Sequence, residues 1–399
     1  MNLPQIQKGQ QIQRPHRLAS FNLREILGSS WFQCAACGPW VLSPFFRPKF
    51  LRQALLLLTL HAPLLAADSN GWTRLPALPD KEGFASMFAG VSGGALLAAG
   101  GANFPDQRPW EGGKKVWYDT VFALEKPDGQ WKVAGKLPRP LGYGVSVTHG
   151  GGVVCVGGSD ADAHRAECFR LEWRGGKLET KPLPPLPRAV ANLSGALLGD
   201  TLFIAGGIEK PDSTRALKTF LALNLAEPKP AWRELEPWPG PARMLAVAAA
   251  QDGAFFLVSG ADLAPGPDGK PVRTYLRDAF RYTPGQGWKR IADLPRAAVA
   301  APSPAPTVGA TQFLVVSGDD AAQLTAKPGE HKGFPPSVLA YDTRADRWTE
   351  SAPTPAPRVT VPTAQWQGAW LVVSGEQKPG IRSPEVWRFL PHGFGAEHR

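Results

Sequence analysis

The chain has 399 residues, with 43 Gly, 41 Pro and 14 Trp, a hydrophobic fraction of 43% and a formal charge of +10. So many helix breakers exclude a helical bundle, and the lack of a Gly-X-Y period excludes collagen. The apolar and aromatic content argues against disorder, and the whole describes many short strands joined by many turns.

Residues Phe45 to Ala67 read FFRPKFLRQALLLLTLHAPLLAA. Arg47, Lys49 and Arg52 form a basic segment, Ala54 to Leu65 an apolar one, and Ala66-Ala67 a small-residue cleavage site. That is the anatomy of a secretory signal peptide. The apolar run, about 12 residues, is too short to span a bilayer as a helix. The expectation is an exported protein, periplasmic or secreted, with no stable membrane insertion after cleavage. Residues 1–40 make an overlong leader, so translation is expected to start at Val41 or Leu42. The Cys34-x-x-Cys37 pair lies in that stretch and, with no second pair, is weak evidence for zinc or redox chemistry. Seven Lys/Arg against the single acid Glu25 fall in residues 1–67, which leaves +4 on the rest. Nucleic acid is therefore not an expected partner.

From residue 68 onward the sequence repeats. An apolar run closed by a small-Gly doublet recurs six times: LLAAGG at Gly101, VVCVGG at Gly158, LFIAGG at Gly207, FFLVSG at Gly260, FLVVSG at Gly318 and WLVVSG at Gly375. Trp72, Trp131, Trp232, Trp288 and Trp348 keep step, each before a Pro-rich turn; the second unit lacks this Trp and has Leu178 to Ala189 in the slot. Each unit reads as four short strands, such as Tyr143 to Thr148, the doublet strand, Thr120 to Leu124 or Ser337 to Asp342, and the Trp strand. This pattern predicts an all-β, six-bladed kelch β-propeller over residues 68–399 as a single domain. The segment opens on a lone Trp strand and ends on a third strand, Glu385 to Leu390. The N-terminal strand is therefore expected to complete the last blade and close the ring.

Propeller strands alternate in direction, so the loops after the doublet strands and after the Trp strands share one face. The doublet loops are long, and long loops on one rim of a rigid scaffold mark a functional side. Just after the doublets sit Asn103, Asp160, Glu209, Asp262, Asp319 with Asp320, and Glu376. The other loops supply Arg139, Arg188, Arg243, Arg296 and Arg358. Such a ring suits a polar, anionic ligand, since Arg clamps carboxylates bidentately. Equally, these residues could cap strands and tie blade to blade. Cys155 and Cys168 fall on neighbouring strands; whether they are bonded stays open, with two buried free thiols the expected state.

Two stretches, GGANFPDQRPWEGGKKVWYDT (Gly100 to Thr120, continuing to Thr148) and SGEQKPGIRS (Ser374 to Ser383), resemble the kelch-type mutarotases that epimerise N-acetylneuraminate, in a cyclically permuted order. The resemblance implies Glu376 as the proton acceptor and Arg382 as the arginine of its motif; the rim residues Asn103 and Arg139, with Glu209 and Arg215, complete the substrate-binding candidates. Glu209 and Arg215 echo Glu376 and Arg382 in the third unit. It further implies a small acidic sugar as substrate, opened and reclosed by acid/base chemistry without metal or cofactor. Two other readings compete. One is a non-catalytic module binding glycan or protein, with Trp110 and Trp117 as stacking surfaces. The other is a copper-radical oxidase, which shares such blades but needs two His, two Tyr and a crosslinked Cys; of the available histidines His392 and His398 lie in the tail and His149 on the opposite face.

Overall fold

The short alternating segments pair, unit by unit, into six four-stranded antiparallel sheets. In the computed structural model, which describes residues 71–391, blade 1 comprises Phe88–Ser92, Ala95–Ala99, Thr120–Leu124 and Lys132–Lys136. Blade 2 follows with Val145–His149, Gly152–Ser159, His164–Arg174 and Lys177–Leu183, and blades 3, 4 and 5 repeat the same up-and-down order. The signal-peptide reading, the Cys34/Cys37 pair, His392 and His398 lie outside the described residues. Two short 3-10 turns, Pro109–Glu111 and Pro328–Glu330, are the helical elements among the described residues.

Blade 6 is assembled from both ends of this span. Thr363–Trp366, Ala369–Val373 and Val386–Phe389 supply its inner three strands, and Trp72–Leu75 its outermost. The pairing runs from Trp72 opposite Phe389 to Leu75 opposite Val386. The ring closes as the sequence predicts, and no blade is left with an open edge where the ends meet.

The doublets have a backbone cause. Both positions take positive φ in every blade, for instance Ser374 at 60° and Gly375 at 108°. At Gly375 a Cβ would fall 2.2 Å from Val361 Cγ2, so the second position tolerates no side chain. A further set of left-handed residues opens each blade: Ser86, Tyr143, Asn192, Leu245, Ala300 and Thr360, with φ between 54° and 62°. Their main-chain groups form a closed circle. Tyr143 N–H donates to Ser86 O, Asn192 to Tyr143, Leu245 to Asn192, Ala300 to Leu245, Thr360 to Ala300 and Ser86 to Thr360, at 2.7 to 3.0 Å. This circle lines the central channel.

Apolar side chains from both sheet faces fill the wedges between blades. One cluster joins blades 1 and 2 through Leu97, Val121, Val153 and Phe169, and equivalent clusters occupy the other five junctions. The marker tryptophans act as staples: the indole N–H groups of Trp131, Trp232, Trp288 and Trp348 each donate to a main-chain carbonyl of the preceding blade, at 2.8 to 2.9 Å. Leu178 replaces the Trp in blade 2 and packs on Gly135 of blade 1. Cys155 and Cys168 are free thiols. Cys155 lies opposite Phe169 and Cys168 opposite Val156. With that one-residue offset, successive side chains point to opposite faces, so the two thiols enter different clusters and cannot meet. Two buried free thiols are the state the sequence leads one to expect.

Candidate active site at the channel mouth

The doublet loops and the loops entering each inner strand converge on one mouth of the channel. There they enclose a cavity of about 450 Å³. Its floor is the circle of left-handed residues, with Tyr143, Asn192, Leu245 and Thr360 shared between this cavity and a narrower throat of about 60 Å³ below. Its walls are doublet loops: Phe104 and Lys115 from blade 1, Ser213 from blade 3, Arg273 from blade 4, Glu376 and Arg382 from blade 6.

Glu376 and Arg382 face each other across a two-strand ribbon, Glu376–Lys378 with Ile381–Arg382. Glu376 Oε1 accepts the N–H of Gly380 at 2.6 Å, and its Oε2 lies 3.5 Å from Arg382 Nη2. Gly380 has φ 78°, and a Cβ there would press within 2.6 Å of Pro109 Cγ. The ribbon is thus backed by the turn of blade 1. Arg382 is buried at 6% exposure, with its guanidinium carbon 4.7 Å from the Phe104 ring centre. Its Nε and Nη1 are buried and have no hydrogen-bond partner among the described residues. The guanidinium is thus packed on Phe104 with its Nη2 edge toward Glu376, and it contributes positive charge to the cavity wall.

Arg273 stands on the taller ribbon of blade 4, Ala261–Pro265 with Pro271–Tyr275. Tyr275 at the base of this ribbon donates its hydroxyl to Asp319 Oδ2 of blade 5 at 2.8 Å. Burial, and then the adjacent Asp319 carboxylate, push the Tyr275 phenol up to about 12, so the tie stays protonated at any ordinary pH. Lys115 precedes the short strand Val116–Trp117. Its ammonium lies 5.9, 5.4 and 5.0 Å from the ring centres of Phe104, Trp117 and Tyr143.

The structure brings only part of the sequence-derived set to this cavity. Glu376 and Arg382 line it. Asn103 is fully buried beneath it, donating to Gly83 O at 2.9 Å and accepting the Tyr118 hydroxyl at 2.8 Å, which fixes the blade 1 loop. Arg139 points into the outer groove between blades 1 and 2, where it pairs with Asp160 and Glu167. Glu209 and Arg215 are exposed and outside the lining, although their neighbours Ile208 and Ser213 belong to it. Of the acidic residues after the doublets, Glu376 alone reaches the cavity; Asp160 is engaged by Arg165 and Asp319 by Tyr275.

The arginine series proves to be two positions. Arg243 and Arg358 are fully buried, each donating to the carbonyl of the doublet serine in its own blade, Ser259 and Ser374, and pairing with Asp278 and Glu385. Arg296 sits two residues earlier in its repeat, yet also spends its donors on Ser317 O and Ser337 O. These arginines hold the blades' own backbone. Lys115, Arg273 and Tyr143 escaped the sequence reading because their positions are not ones that every repeat fills alike. For Tyr143 a signal existed in its place: it precedes the inner strand of its repeat, a position held by Ser86, Asn192, Leu245, Ala300 and Thr360 in the others.

Among the described residues no group of three or more His, Cys, Asp or Glu is placed to hold a metal ion, and no helix is long and apolar enough to cross a membrane.

Fold and site together define a six-bladed β-propeller with one carboxylate and three cationic side chains lining the mouth of its channel. Residues 57–180 match the family model described as N-acetylneuraminate epimerase. Over 110 residues the chain is 43% identical to an N-acetylneuraminate epimerase of Yersinia enterocolitica, covering 25% of this chain and 27% of that protein. Over 126 residues it is 40% identical to one of Brucella suis, covering 28% and 32%. The chain thus spans about a third or less of the length of the curated relatives it matches. In that stretch it is similar to the N-acetylneuraminate epimerases. The family match contains Phe104, Lys115 and Tyr143, whereas Arg273, Glu376 and Arg382 lie beyond it.

Proposed function

We propose that this protein is a sugar mutarotase that interconverts the anomers of an acidic sugar such as N-acetylneuraminate. The observation that carries the reading is the Glu376–Arg382 pair in the channel-mouth cavity, where a single carboxylate lies among Arg382, Arg273 and Lys115. The positive charge of Arg273 and Arg382 in the cavity attracts the sugar carboxylate, which orients the ring over Glu376. Glu376 then removes the proton of the anomeric hydroxyl, the ring opens, and closure on the other carbonyl face gives the second anomer. The names of the relatives support the same substrate class. The protein works after export, with a small sugar as its partner, the segment Phe45 to Ala67 acting as the leader.

The test is anomer exchange of freshly released N-acetylneuraminate followed by NMR. The purified protein is expected to raise the exchange rate well above the spontaneous one. A rate left at its spontaneous value, with the sugar still bound, would identify the cavity as a binding module instead.

A further inference from the structure

Ring opening moves two protons. As Glu376 takes one from the anomeric oxygen, the ring oxygen must receive another when its bond to the anomeric carbon breaks. Besides Glu376, the titratable groups lining the cavity are Lys115, Tyr143, Arg273 and Arg382. Guanidinium groups do not give up protons in proteins, which leaves Lys115 and Tyr143.

Lys115 has the better placement. Its side chain lies on the same side of the blade 1 ribbon as Trp117, and three aromatic rings hold the ammonium through their faces. It forms no ion pair with a carboxylate among the described residues, so its three N–H donors remain for a ligand. Phe104 carries both Lys115 and Arg382 on its ring, so Lys115, Arg382 and Glu376 form one continuous wall from blade 1 to blade 6. A proton leaving Lys115 leaves a neutral amine. A proton leaving Tyr143 would put a second anion beside the substrate carboxylate.

We infer that Lys115 is the general acid that works opposite Glu376, an assignment resting on the mutarotase reading above. In the opening step the anomeric O–H proton passes to Glu376. The electron pair of the ring C–O bond goes to the ring oxygen, and that oxygen takes a proton from Lys115 Nζ. After rotation of the open-chain carbonyl, the new hydroxyl returns its proton to Lys115 and Glu376 reprotonates the anomeric oxygen. No atoms or electrons are gained or lost over the cycle.

The experiment compares wild type, Lys115→Arg, Lys115→Ala and Tyr143→Phe by NMR anomer exchange, with thermal unfolding of each as the check on folding. Lys115→Arg keeps the cation but not the donor, so its kcat is expected to fall by about 10²-fold or more while KM stays within a few-fold. Added ethylamine should restore part of the rate in Lys115→Ala. Full kcat in Lys115→Arg, a change confined to KM, or loss of rate in Tyr143→Phe alone would each overturn the assignment. A wild-type rate at the spontaneous value would instead sink the mutarotase reading, and this inference with it.

Discussion

The N–H of Ser86 donates to the carbonyl of Thr360 at 2.7 Å, and this bond closes the six-membered circle around the channel. The two residues come from opposite ends of the described chain, so the circle exists only when all six blades are in place. It also fixes the floor of the cavity, because Tyr143 and Thr360 project from it beside the cavity's walls. Each member holds a left-handed backbone that a non-glycine residue adopts at a cost of roughly 1–2 kcal/mol. The neighbouring blades enforce that conformation.

Ala300 is the cleanest place to test this. Its φ is 56°, and its N–H donates to Leu245 O at 2.8 Å. Proline there fixes φ near −65° and removes the donor, so Ala300→Pro is expected to lower stability by about 3 kcal/mol or more. Ala300→Gly keeps the bond and relieves the backbone, and is expected to be neutral or stabilising by up to about 1 kcal/mol. Denaturant unfolding of the two variants gives the answer; a proline variant as stable as wild type would contradict the role of the circle.

The propeller was legible because its markers are enforced by the backbone. A doublet such as Ser374-Gly375 recurs because both positions need positive φ, and Trp131 recurs because its indole staples two blades. Ring closure was legible from the phase of Trp72 against Glu385 to Leu390. The cavity was less so. Repetition selects residues that serve the blades' own backbone, such as Arg243 and Arg358 in two of the six, and those are buried structural groups. Lys115 and Arg273 stand on ribbons of different length, where no repeat register applies and only the three-dimensional convergence of blades 1, 4 and 6 brings them together. Glu376 and Arg382 were found through resemblance; Glu209 and Arg215 share their spacing, but not their ribbon.

Arg358 and Arg139 should separate clearly in stability. Arg358 donates to Ser374 O at 2.8 Å and to Glu385 Oε2 at 3.0 Å, and Glu385 also receives Arg74 from the closing strand. Burial pulls the Arg358 guanidinium down to about 10 against the opposing pull of Glu385, so it remains charged at neutral pH. Removing it in Arg358→Met strands the buried Ser374 carbonyl and leaves Glu385 to Arg74 and the Trp387 N–H, with an expected loss of about 2 kcal/mol. Arg139→Met breaks a half-exposed pair and should cost under about 1 kcal/mol. Equal losses in chemical denaturation would refute the distinction.

Asp160 gives the fold an acid-sensitive joint. Burial pushes its carboxyl up, but the Arg165 guanidinium and the N–H groups of Ala163 and Asp162 outweigh this and bring it down to about 2. Its unfolded value is about 3.9, so the folded state holds the proton less tightly. The resulting stability is complete above about pH 4 and is lost as pH falls from there toward about 2. Asp160→Asn should remove on the order of 1 kcal/mol at neutral pH, allowing for solvent screening, and flatten that part of the pH–stability curve. Unfolding midpoints between pH 2 and pH 6 would show it; an unchanged slope in the variant would place the acid sensitivity elsewhere.

The cavity's two blade 6 residues should fail in different ways. Glu376→Gln keeps an oxygen to accept Gly380 N–H, so the ribbon is expected to stand, yet the amide cannot take a proton. Anomer exchange should then fall by about 10²- to 10⁴-fold in kcat with KM little changed. Arg382→Lys keeps the charge but loses the planar fork and its stacking on Phe104, so its defect should appear mainly in KM. Glu209→Gln and Arg215→Met serve as controls, because they change the same residue types at matching spacing on an exposed loop. If the controls lose activity as steeply as Glu376→Gln, the third blade rather than the sixth holds the reacting sugar. If Glu376→Gln alone is inactive while Arg382→Lys binds and turns over normally, the base is correctly assigned and the carboxylate is held instead by Arg273.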